Sequence, residues 1–154
     1  MVSKLKIEIK QKADFVSLEE EANLNVVRTA EHLGSKIADL FKRFGLTATQ
    51  YNALRILRGA RPDGLACGEI GERMLTKESD ITRLLDRLEA RGLISRERPA
   101  SNRRTVITKI TADGESLLAE LDMPVADFNK TAARALDRSQ LETLIGLLEK
   151  LRDG

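Results

Sequence analysis

Aromatic residues are nearly missing from this chain. One Tyr, four Phe and no Trp make up 3% of its 154 residues. A base-stacking platform or an aromatic cage therefore has little to be built from. The core must come from Leu, Ile, Val and Ala, which favours helices packing on helices. A single Cys excludes an internal disulfide framework, and no Cys/His spacing has the form of a zinc site. There is one His, no paired nucleophile and base, and no Gly-rich phosphate loop. Neither enzymatic activity nor a metal or cofactor is expected. No apolar run approaches the roughly 20 residues of a membrane span, and the start Met1-Val2-Ser3-Lys4-Leu5-Lys6 lacks the apolar core of a secretory signal. The expectation is a cytoplasmic protein.

What is present is charge, unevenly placed. Net charge is only +2, yet residues 77–109 hold nine basic and five acidic side chains, a local +4 that leaves −2 for the rest. The length suits one domain with helical arms.

Periodicity orders the chain. Residues 1–13 are polar with alternating Leu5, Ile7 and Ile9, which fits either an extended arm or the start of a helix. From Asp14, Phe15, Leu18, Ala22, Val26, Leu33, Ile37, Leu40, Phe41 and Phe44 recur mostly at three and four, predicting one long amphipathic helix closed by Gly45. At about 30 residues it would span some 45 Å, more than a small core can cover, so a second subunit is expected along it. Thr47 with Gln50 reads as a capping box opening the next helix, which ends at Arg61-Pro62-Asp63-Gly64. A short helix over Cys67 to Met74 and a tight link, with Thr76 as cap, lead to a helix whose buried stripe is Ile81, Leu84, Leu85 and Leu88 and whose end is Arg91-Gly92. Two β-branched runs around Pro99 to Asn102 predict a hairpin with Val106, Thr108 and Ile110 on one face. Thr111 caps a further helix that Pro124 should kink or break near Asp122. A last helix follows Asp137 with the stripe Leu141, Leu144, Ile145, Leu148 and Leu151.

The expected fold is mainly α: a winged helix-turn-helix over 46–110, with a two-stranded β-hairpin as wing. It is flanked by dimerisation helices at 1–45 and 111–154, all in one domain over 1–154. Removing the apolar stripe from the helix over 77–92 leaves Lys77, Ser79, Asp80, Thr82, Arg83, Asp86 and Arg87 outward. Short polar groups allow close approach to a major groove, and arginines can fork onto guanine edges or phosphates. The competing reading is a solvated face with internal salt links. In the hairpin, Arg103 and Arg104 occupy the position from which a wing reaches a narrow, strongly negative minor groove. Arg96, Arg98 and Lys109 offer phosphate contacts from the strands. A charged hairpin that merely resists edge pairing is the competing reading here.

The run Ile81-Thr82-Arg83-Leu84-Leu85-Asp86-Arg87-Leu88-Glu89-Ala90-Arg91-Gly92-Leu93-Ile94 carries a resemblance, extended by Arg96, by Asn102-Arg103-Arg104 and by Ile110-Thr111-Ala112-Asp113-Gly114. Over roughly 46 to 115 the chain resembles the MarR family of bacterial transcriptional regulators. The resemblance implies a homodimer on pseudo-palindromic double-stranded DNA, a ligand-responsive repressor with Arg104 inserted from the wing and Arg103 on the backbone beside it. The family's pattern has Asp two residues before that arginine where this chain has Asn102, which can offer only a neutral bond. Relatives that sense oxidants use a cysteine in the first helix, so Cys67 reads as an inert thiol and His32 as an ordinary helical histidine. Tyr51 reads as core or as facing a cleft where the family binds small aromatic acids. A winged-helix protein-contact module and a nonspecific nucleoid-type binder remain the alternatives.

Overall fold

The computed structural model describes residues 3–154, which fall into two compact units, one up to Ile37 and one from Ala38 onward. In the first unit, helix α1 spans Lys4–Glu8 and buries Leu5. Of the alternating residues expected as an arm or a helix start, Leu5 and Ile7 are thus helical and Ile9 is the C-cap, while Met1 and Val2 lie outside the described residues. Lys6 pairs with Asp14, holding that carboxyl below its usual range through the hydrogen bond and the charge of Lys6. Helix α2, Leu18–Arg43, begins four residues later than the periodicity predicted. Ser17 is the reason: its Oγ accepts the Glu20 N–H at 3.2 Å, and Glu19, Glu20 and Glu21 then occupy the first turn, where the helix dipole favours anions.

In the second unit α2 ends as expected. Leu46 N–H donates to Phe41 O and Gly45 N–H to Lys42 O, both at 3.0 Å, around Gly45 at φ +71°. This is the left-handed closure that glycine adopts without strain. Helix α3, Ala48–Gly59, opens with the predicted box, in which Gln50 N–H donates to Thr47 Oγ1 at 3.1 Å and Thr47 N–H to Gln50 Oε1 at 3.0 Å. Helix α4 covers Cys67–Arg73 and α5 covers Ile81–Ala90. The core forms where these helices meet, with Leu54, Leu57, Ile70, Leu85 and Leu88 almost fully buried.

The wing has a third strand the sequence did not suggest. Strands β1 (Leu65–Ala66), β2 (Ile94–Glu97) and β3 (Ile107–Ile110) form an antiparallel sheet in the order β1-β3-β2. Arg96 lies opposite Thr108 and Leu65 pairs with Thr108 from the other side. Two residues are too few to show alternation, so β1 is visible only through its partner. Gly64 makes the pairing possible: at φ +76° a Cβ there would stand 2.4 Å from Thr108 O.

Two further expectations are corrected. Of the kink or break expected at Pro124, the break does not occur, and α6 runs without interruption over Ala112–Ala133. Glu120, whose carbonyl loses its donor, is at an exposed position where water can replace it. Thr76 is not the cap of α5. Glu78 Oε1 accepts the Asp80 N–H at 3.2 Å, holding 77–80 out of the helix. Asp80 then caps it, its Oδ1 accepting the Arg83 N–H at 2.9 Å. Helix α7, Arg138–Asp153, is capped by Asp137 as predicted and has no buried residue. No helix among the described residues is long and apolar enough to cross a membrane.

Candidate nucleic-acid interface

Helix α5 exposes what remains once Leu84, Leu85 and Leu88 are packed inward. Thr82, Arg83, Asp86 and Arg87 are exposed along it, and Lys77 and Ser79 are exposed in the segment that leads in. That segment is held by Asn52 of α3, whose Oδ1 accepts the Leu75 N–H at 2.8 Å. Arg83 and Arg87, one turn apart, face a cleft of 410 Å³ that also includes Ser79, Asp80 and, from the start of α3, Thr47 and Thr49. The sequence marked Thr47 only as a cap. Its place beside the α5 arginines follows from the packing of α3 on α5, which no local pattern carries.

The wing loop between β2 and β3 is organised by the residue that departs from the family pattern. Asn102 Oδ1 accepts the Arg104 N–H at 3.2 Å, and its Nδ2 donates to Thr105 Oγ1 at 3.0 Å. An ionised aspartate could accept at both positions, with the Thr105 hydroxyl then donating, whereas Asn102 donates to that hydroxyl and keeps the tip free of negative charge. Arg98 Nη1 donates to Arg103 O at 2.9 Å, closing the loop from the end of β2. Arg103 and Arg104 are exposed at this tip. Among the described residues, none of Lys77, Arg83, Arg87, Arg103 and Arg104 is salt-bridged.

The remaining charged residues of the region have partners inside the protein. Arg96 on β2 reaches α5, where its Nη2 donates to Asp86 Oδ1 at 2.5 Å and to Glu89 Oε1 at 3.0 Å. Its Nε donates to Glu89 Oε2 at 3.2 Å. Hydrogen bonds to Glu89 and then to Asp86 raise the Arg96 pKa, and the same guanidinium holds Glu89 below its usual range. Lys109 pairs across the strands with Glu97 at 2.7 Å. Elsewhere, Tyr51 is buried and stacked on Phe41 with centroids 4.2 Å apart. Cys67 is half-buried at the start of α4, and His32 is exposed on α2.

A family model described as MarR family matches residues 46–106, from the end of the α2–α3 corner through the wing loop. A crystal structure of a MarR transcription factor from Planctomyces limnophilus has 40% sequence identity, with 88% of this chain and 98% of that one covered and a TM-score of 0.69. The chain belongs to the MarR family. Its winged helix-turn-helix and flanking helices are those of MarR transcription regulators. Two more distant structures share the fold. A mutant MarR from E. coli complexed with operator DNA has 21% identity over 90% of this chain and 99% of its own, with a TM-score of 0.79. BpsR of Bordetella bronchiseptica, whose DNA binding is regulated by 6-hydroxynicotinic acid, has 19% identity over 92% and 99%, also with a TM-score of 0.79.

Proposed function

We propose that this protein is a homodimeric regulator that binds a pseudo-palindromic operator in double-stranded DNA, acting as a repressor released by a small aromatic effector. The observation that carries the reading is the division of the basic residues. Arg96 and Lys109 are consumed by internal pairs, while Arg83, Arg87, Arg103 and Arg104 stand exposed without acidic partners on two neighbouring elements. Side chains on α5 then meet base edges and phosphates in the major groove, with Ser79 and Thr82 allowing close approach and Lys77 meeting a phosphate. The wing tip meets the adjacent minor groove through Arg104, with Arg103 and Arg98 on the backbone. In this reading Asp80, Asn102 and Arg96 act from within: Asp80 starts the helix, Asn102 shapes the tip, and Arg96 braces the wing root against α5.

Dimerisation is supported by α7, which has no buried residue yet exposes Leu144, Ile145, Leu147 and Leu151. An apolar face of this kind needs a partner, and a second copy would bring two α5 helices to successive major grooves about 34 Å apart. The effector class rests on the regulation of BpsR by an aromatic acid. A regulator of this kind works in the cytoplasm with its DNA, and no enzymatic role is proposed.

The test is a titration of a palindrome from the protein's own upstream region against scrambled DNA over a range of salt. The affinity should fall with a log–log slope of about −0.9 per neutralised phosphate and should drop further on adding 6-hydroxynicotinic acid. Equal affinity for both duplexes would leave the nonspecific nucleoid-type reading. No affinity for either would leave the protein-contact module.

A further inference from the structure

A second arginine bonded within the protein reaches away from α5, and nothing in the proposed operator contacts uses it. Arg91 is the C-cap residue of α5. Its Nη1 donates to the carbonyl oxygen of Gly45 at 2.5 Å, across 46 positions of sequence. Gly45 is the left-handed residue that closes α2 and begins the corner into α3. That corner is firm, because Phe41 and Leu46 on either side of Gly45 are buried. The fit is close as well: a Cβ on Gly45 would stand 3.3 Å from Arg91 Nη2.

We infer that Arg91 is a positioning residue that sets the pitch of α5 against the α2–α3 corner and thereby fixes the half-site spacing the dimer accepts. This rests on the DNA-binding reading given above. Arg96 ties Asp86 and Glu89 of α5 to the wing, and Arg91 ties the end of the same helix to the corner. The two anchors together leave the helix little freedom to tilt. The lever is large enough to matter. A ten-residue helix is about 15 Å long, so a tilt of about 10° at its C-terminal end moves its N-terminal end by about 2.6 Å. That is comparable to one base-pair step, so base contacts within a half-site can adapt locally while the separation of two half-sites cannot.

The experiment measures binding to a palindrome selected from random duplexes with the unaltered protein, alongside versions in which one or two base pairs are inserted or removed between half-sites, and an isolated half-site. The unaltered protein should show one preferred spacing. Arg91→Ala should flatten that preference, the ratio of best to neighbouring spacing falling roughly fivefold or more, with half-site affinity, base preference and melting temperature close to the original. Arg91→Lys should restore part of the preference. Gly45→Asn approaches the same link from the other side, since Asn accepts the left-handed conformation while its side chain crowds the guanidinium, whose Nη2 lies 3.3 Å from the Cβ position. It should flatten the profile in the same direction and by no more than Arg91→Ala, and the double variant should be no flatter than Arg91→Ala alone. If both single variants keep the original profile, or lose affinity equally at every spacing and at the half-site, the inference is overturned while the DNA-binding reading stands. Binding by the unaltered protein that ignores sequence and spacing overturns both.

Discussion

The wing tip shows how much a single side chain settles. Asn102 replaces the expected acid, yet it holds the loop by accepting from Arg104 N–H and donating to Thr105. Arg104→Ala should therefore leave the melting temperature unchanged while lowering operator affinity roughly tenfold, chiefly where the flanks are A·T-rich. A binding titration over flank variants checks it, and uniform affinity across flanks would remove the minor-groove role. Thr108 presents the opposite case. It is 1% exposed and its hydroxyl has no hydrogen-bond partner. Such a group costs about 1–3 kcal/mol of desolvation. Thr108→Val should stabilise the protein by about 1 kcal/mol, raising the melting temperature by about 2–4 °C, with operator affinity intact. Calorimetry showing a lower midpoint would mean that the hydroxyl is satisfied after all. At Gly114 the constraint is steric, since a Cβ there would lie 2.3 Å from Leu93 O. The sequence could mark Gly114 as part of a family motif, but only the approach of α6 to the chain before β2 explains it.

Between elements, ion pairs connect what sequence periodicity treats separately. Arg58 of α3 and Asp122 of α6 form a two-bond pair, both at 3.0 Å. The hydrogen bond from Arg58 holds the Asp122 carboxyl below its usual range, and the same bond raises Arg58. Because the folded pKa of Asp122 is depressed, the pair stabilises fully above the unfolded carboxylate value of about 3.9. That contribution is lost as pH falls through the lower folded value. The pair is half exposed on the Asp122 side, so solvent screening limits it to about 1 kcal/mol or less. Asp122→Asn should lower stability near neutrality and make no difference once the carboxyl is protonated in both states. Denaturation curves at several pH values test this. A deficit that persists in strong acid would assign the loss to packing. Helix boundaries were legible where a cap stands beside an apolar stripe, as at Thr47, Thr111 and Asp137. They were misread where two capping residues compete. Thr76 looked adequate alone, but Glu78 and Asp80 bond the backbone after it and delay the helix.

For the whole molecule, α7 is the element a single chain leaves unexplained. Ile145 and Leu147 are 56% and 60% exposed. Replacing both with Glu should convert a dimer of twice 17.1 kDa into a 17.1 kDa monomer by light scattering, and should abolish tight operator binding while α3, α4 and α5 remain folded. A dimer that survives would place the interface elsewhere. The sequence by itself determined the helix order, the caps, the concentration of positive charge and the family resemblance, because these depend on periods and motifs a few residues long. The tertiary structure decided that β1 joins the sheet, that Pro124 is carried within α6, that Arg96 braces α5 and that Arg91 grips the α2–α3 corner. The first and last of these depend on a partner far along the chain, Thr108 for Leu65 and Gly45 for Arg91, and only packing of the core brings such partners within bonding distance.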